Sequence, residues 1–137
     1  MHQIYFLSIL SNIVAGIALG YDRMQAPLKL DAMFNADFFR QAAVRLSVGL
    51  VTFVVGFLKL LSVTPGDVAV VGDLLPAAVG LLMGFALVFE YYQARVAVRS
   101  STIESIQGMV ERFGAALGTA GIVVAVVHFF LFRVLFL

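Results

Sequence analysis

Four side chains carry most of the polar chemistry that the apolar stretches of this chain can offer: Asn12, Lys59, His128 and Asp73. An amide, an ammonium, an imidazole and a carboxylate drawn together can bind an ion, hold a hydrogen-bonding solute or pass a proton. Such groups are costly inside hydrocarbon, which makes them the first candidates for a polar pocket open to one side of a membrane. The competing expectation is structural: Asn12 and His128 hydrogen-bonding across helices, and Lys59 extending its stem toward an interface. Arg45 and Glu90 form a second set at matched depth near the opposite surface, where an interfacial ion pair would relieve both charges.

Catalysis has little to work with. General acid and base chemistry needs a placed pair of perturbed groups, and only His128 with a distant Asp73 offers one, so no enzyme activity is expected. With no cysteine in the chain, disulfide exchange, thiolate-bound zinc and iron–sulfur clusters are excluded as its own chemistry. The only other histidine, His2, is terminal, and the carboxylates lack ligand spacing. No metal site and no cofactor are expected. A formal charge of +1, with nine scattered Lys and Arg, gives no strip on which nucleic acid would bind.

The elements that must position these groups follow from composition. Of 137 residues, 62% are apolar and 12% charged, and the mean hydropathy is +1.04. That excess of apolar residues makes lipid the solvent. A helix crossing about 30 Å of hydrocarbon needs roughly 20 mostly apolar residues. Runs of that kind predict an all-α, polytopic transmembrane bundle of four helices, near 4–21, 42–63, 74–92 and 113–135, folded as one domain over 1–137. The first run is read as a retained helix, because Met1-His2-Gln3 lacks the basic region of a secretory signal.

The connections differ in character. Residues 22–39 read as a loop with an interfacial turn, with Asn35 and Asp37 as candidate N-caps for the second span. The second connection contains the turn pair Pro65-Gly66. The third carries Ser101-Thr102-Ile103-Glu104, a capping-box pattern predicting a short amphipathic helix near 102–112 that runs toward the fourth span. Its apolar side would hold Ile103, Ile106, Met109 and Val110.

Charge sets the expected orientation. With four spans, Arg23, Lys29, Arg40, Arg45, Arg95, Arg99 and Arg112 fall on one side, and Lys59 and Arg133 on the other. The positive-inside rule puts the first group, with connections 22–41 and 93–112, in the cytoplasm and both termini outside. The expected location is a cell (inner) membrane with periplasmic termini.

Small residues mark the faces expected to pack. Gly16 and Gly20, Gly80 and Gly84, and Gly114 and Gly118 each have GxxxG spacing. In the second span Arg45, Gly49, Thr52, Gly56 and Lys59 form one helical stripe, and Gly114, Gly118, Gly121, Ala125 and His128 repeat its offsets in the fourth. The matched stripes suggest that these two spans pack together, with His128 pointing into the bundle about 10 Å from its helix end at 1.5 Å per residue.

The run Arg45-Leu46, Gly49-Leu50, Phe53, Gly56 and Lys59-Leu60 resembles the opening helix of DoxX-type four-helix membrane proteins. Here it occupies the second span, leaving two spans after it where that family has three, and no site residues are carried over. Two functions remain from the sequence. The first is a non-enzymatic accessory or structural subunit of a membrane assembly, with the bilayer and other membrane subunits or further copies of itself as partners. The alternative is a small oligomeric transporter, channel or lipid-binding protein using the Asn12, Lys59 and His128 region.

Overall fold

The structure is a computed structural model that describes residues 2–62, 74–98 and 100–131. Its elements are α1 (His2–Leu28), α2 (Leu30–Met33), α3 (Ala36–Arg40), α4 (Ala42–Leu61), α5 (Leu74–Gln93) and α6 (Ser101–Phe130), with no strand among the described residues. Four of them, α1, α4, α5 and α6, are long and apolar enough to cross a membrane. A helix satisfies every interior backbone group from within, the requirement lipid imposes on a spanning segment.

These helices form an up-down-up-down bundle, and side-chain contacts fix the register. Tyr5 meets His128, while Gly16 lies against Gly118, so α1 and α6 run antiparallel. Thr52 bonds to Ser11 and Arg45 to Ala18, so α1 and α4 run antiparallel too. Arg45 reaches Glu90, and Gly56 meets Ala77, which makes α5 antiparallel to α4 and parallel to α1. The first and fifth helices pack on each other and on both neighbours, whereas α4 and α6 have no comparable contact. They stand on opposite corners. The matched glycine stripes of α4 and α6 therefore do not meet as expected; each faces inward onto α1 and α5. Equal offsets report only the angular width of a buried face.

Two boundaries depart from the hydropathy pattern. The first helix continues seven residues past Tyr21 to Leu28, through Asp22, Arg23 and Pro27. Charge ends an apolar run without ending a helix, and Met24-Gln25-Ala26 are good helix formers. Buried Tyr21 and Met24 hold those last turns against Leu30 and Phe39. Lys29, at φ 50° and ψ 43°, then reverses the chain in the left-handed region. What reads as a loop over 22–39 is thus a helix end followed by α2 and α3. The Asn35 carboxamide caps α3, accepting from the Asp37 N–H at 2.9 Å, while α4 begins after Gln41 with no side-chain cap.

The expected short helix near 102–112 and the fourth span are one continuous helix of 30 residues, about 45 Å long. Ser100 is its N-cap, with the side chain accepting from the Ile103 N–H. That length exceeds a hydrocarbon core by about ten residues, so its first turns extend beyond the bundle. At the other end the described helix runs to Phe130, with the Leu131 N–H bonded to the Val127 carbonyl at 2.8 Å, and residues 132–135 of the expected span lie outside the described residues. The Pro65-Gly66 connection and Asp73 lie outside the described residues.

Candidate functional site

Every buried polar or charged side chain described belongs to one half of the bundle: Ser8, Ser11 and Asn12 on α1, Thr52 and Lys59 on α4, and His128 on α6. The antiparallel register places the first turns of α1 beside the last turns of α4 and α6. Lys59 is 1% exposed and His128 0%. Tyr5 links them. Its ring lies 5.1 Å from the Lys59 Nζ, a cation–π contact, and 4.8 Å from the imidazole centroid. Its hydroxyl donates to the His128 carbonyl at 2.9 Å, fastening the last turn of α6 to the first turn of α1.

His128 lies in the last turn of α6 and Lys59 in the last turn of α4. The imidazole is therefore closer to its helix end than the expected 10 Å, because the described helix stops at Phe130. Both basic side chains sit where the C-terminal ends of two helix dipoles favour positive charge. This electrostatic setting lowers the cost of placing them there.

One to two turns deeper, the polar contacts become helix-to-helix hydrogen bonds. Asn12 Nδ2 donates to the Pro76 carbonyl at 3.0 Å, and its Oδ1 occupies the place a Gly80 Cβ would take, at 2.7 Å. Thr52 Oγ1 donates to the Ser11 carbonyl at 3.3 Å, and Ser11 Oγ to the Ser8 carbonyl at 3.1 Å. Asn12 therefore bridges α1 and α5, and its carboxamide does not meet Lys59 or His128 through any contact described. The polar half contains a basic aromatic cluster and, below it, a set of bridging hydrogen bonds.

The opposite half is organised by Arg45. Its Nε donates to Glu90 Oε2 at 3.0 Å, its Nη2 pairs with the same oxygen, and its Nη1 donates to the Ala18 carbonyl at 2.6 Å. One guanidinium thus joins α4, α5 and α1. The two side chains remain 22% and 33% exposed, so the pair sits at the rim with water or headgroups in reach. Between this rim and the polar half lie Ala15, Ala18, Met83 and Leu87.

A protein-family model of uncharacterised type matches residues 1–128, which takes in α1, α4, α5 and α6 as far as His128. The chain belongs to that family. No curated protein and no solved structure matches it.

Several glycines lie where an added side chain would meet a neighbouring helix. A Cβ on Gly84 would lie 2.6 Å from the Phe53 nitrogen and 2.7 Å from the Gly49 carbonyl oxygen. One on Gly16 would lie 2.6 Å from the Gly118 oxygen, and one on Gly56 3.0 Å from the Ala77 oxygen. The glycines differ, however. At Gly20 the obstacle is its own helix's Met24 side chain, at Gly121 it is Met83, and at Gly114 nothing lies nearer than Leu19 at 3.8 Å.

Tyr5 and Thr52 enter this half through contacts the sequence does not announce. Tyr5 stands in an apolar run with no charged neighbour, and its role depends on the register between α1 and two helices far along the chain. The signal available was spacing: Tyr5 and Asn12 are seven residues apart, two turns on one face, as are Thr52 and Lys59.

Proposed function

We propose that this chain is a multi-pass membrane protein whose polar half binds the anionic group of a small membrane-associated or permeating molecule, as a small transporter or lipid-binding protein. The orientation has both termini outside and connections 22–41 and 93–112 in the cytoplasm, which the distribution of basic residues supports. Lys59 and His128 then lie at the outer end.

The observation that carries this reading is Lys59 buried to 1% exposure against Tyr5 and beside fully buried His128. An apolar side chain of similar volume often packs at such a site at no loss of stability. Ionisable residues retained in spanning helices mark substrate or proton pathways far more often than they mark stability. A basic cluster with an aromatic wall suits a carboxylate, phosphate or similar head carried on an apolar body.

The experiment is native mass spectrometry of the protein released from its own membranes in mild detergent, alongside Lys59→Met. The reading expects a bound anionic species on the parent chain and its loss from Lys59→Met, with Lys59→Arg retaining part of it. Identical bound species on parent and Lys59→Met, with a difference in thermal stability alone, would reject it.

A second reading, an accessory or homo-oligomeric subunit, has one observation in its favour. The described GxxxG glycines face into the bundle, yet α6 also turns Ala116, Thr119 and Ala120 outward, where they are exposed. Small outward residues let another helix approach closely. A stable complex whose mass falls with Ala120→Phe would favour this reading.

A further inference from the structure

The segment between the first two long helices has a surface that the polar half does not account for. Leu28 at the end of α1, Met33 and Phe34 of α2 and its cap, and Phe38 of α3 are exposed, Met33 to 72%. Their neighbours Leu30 and Phe39 are buried, with Phe39 stacked on Tyr21 at 5.7 Å between centroids. The short helices are therefore amphipathic elements fixed to the bundle by one face. Single residues, Lys29 and Gln41, join them to α1 and α4. Both flanking helices are spans in the reading above, so this tethered segment has to lie at the membrane surface.

Its charges are divided unevenly. Asp22 takes Arg40 at 2.7 Å, and Asp31 accepts from the Tyr21 hydroxyl at 2.7 Å. Hydrogen bonding to Asp22 raises the Arg40 guanidinium above its ordinary value, with Asp37 adding to the effect. Asp22 and Asp31 are thus engaged by Arg40 and Tyr21, while the exposed Asp37 acts on Arg40 only through space. Arg23 and Lys29, both exposed, form no ion pair among the described residues. Apolar side chains beside two available cations fit one occupant, the headgroup and upper acyl layer of an anionic bilayer.

We propose that Leu28–Phe39 is an interfacial shelf that inserts Met33, Phe34 and Phe38 below the headgroups and recruits anionic phospholipid through Arg23 and Lys29. The proposal rests on the spanning reading, and the test separates the two. The chain contains no tryptophan, so Phe38→Trp provides a single fluorophore at the shelf and Phe53→Trp one on the exposed middle of α4. Each is reconstituted with lipids brominated at shallow or deep acyl positions.

The shelf expects Phe38→Trp to be quenched most by shallow bromines and Phe53→Trp most by deep ones. Brominated phosphatidylglycerol should quench Phe38→Trp more than brominated phosphatidylcholine at equal mole fraction. Arg23→Gln and Lys29→Gln should each reduce that preference about fivefold. Water-like emission without quenching at Phe38→Trp, while Phe53→Trp responds to deep bromines, overturns the shelf and leaves the spans standing. An unquenched Phe53→Trp overturns the spanning reading and the shelf with it. Equal quenching by the two lipids, or a preference unchanged by both substitutions, overturns the anionic recruitment.

Discussion

The two halves of the bundle handle charge in opposite ways. At the Arg45 end, one cation meets one carboxylate and one backbone carbonyl at a rim where the two side chains are 22% and 33% exposed. Its presence is explained by what it joins. At the Tyr5 end, two basic side chains are buried in the last turns of α4 and α6 against an aromatic ring. The first arrangement joins three helices at an exposed rim, and the second gathers its basic groups in the interior, where the anion-binding proposal places its site. The glycines differ too, though not by half: Gly84 and Gly56 bring backbone against backbone, whereas Gly80 makes room for the carboxamide of Asn12.

Breaking the backbone contact should have the largest effect. In Gly84→Ala the new methyl meets the Phe53 nitrogen and the Gly49 oxygen, neither of which can move without separating α4 from α5. A destabilisation of about 3 kcal/mol is expected, at the upper end for overpacking. Gly80→Ala displaces only the end of the Asn12 side chain and sacrifices its bond to Pro76, so about 1 kcal/mol is expected. Unfolding of both variants in graded denaturing detergent measures the difference. Equal losses would mean that the Asn12 carboxamide yields no more readily than backbone.

Removing the rim cation comes next. Arg45→Met leaves Glu90 without its partner and the Ala18 carbonyl without its second bond, and should cost about 2 kcal/mol, less than a fully buried pair because water reaches the rim. The double variant Arg45→Met with Glu90→Met should recover most of that loss, since no carboxylate is then stranded. Failure of the double variant to recover would show that the bond to Ala18, rather than the ion pair, holds this end together.

The fold was legible because its strongest signals are long-lived along the chain: four apolar runs, separated by charges, whose lengths match a bilayer. Boundaries were less so. Asp22, Arg23, Glu111 and Arg112 lower hydropathy without opposing helix formation, and hydropathy cannot see the difference. The inward direction of Gly49, Thr52, Gly56 and Lys59 followed from spacing within one helix. Which helix each would meet did not, because that depends on the order of corners in the bundle, and only contacts such as Tyr5 to His128 settle it. The same limit hid Tyr5, whose chemistry exists only once three helices are brought to one end. Asn12 was visible as a polar residue in a span, but its partner, a backbone carbonyl of α5, has no sequence signature at all.

The smallest of these effects tests the polar half most directly. Tyr5→Phe removes the hydroxyl that donates to the His128 carbonyl and keeps the ring that faces Lys59 and the imidazole. If Tyr5 serves mainly to fasten α6, the variant should lose about 1 kcal/mol of stability, the usual worth of such a bond, and still carry the anionic species expected of the parent chain. Tyr5→Leu removes the aromatic wall as well and should lose that species too. The pair of variants separates the hydroxyl as a helix fastener from the ring as part of the basic cluster. Retention of the species by Tyr5→Leu would reduce the polar half to a second fastening point, equivalent in kind to the Arg45 rim.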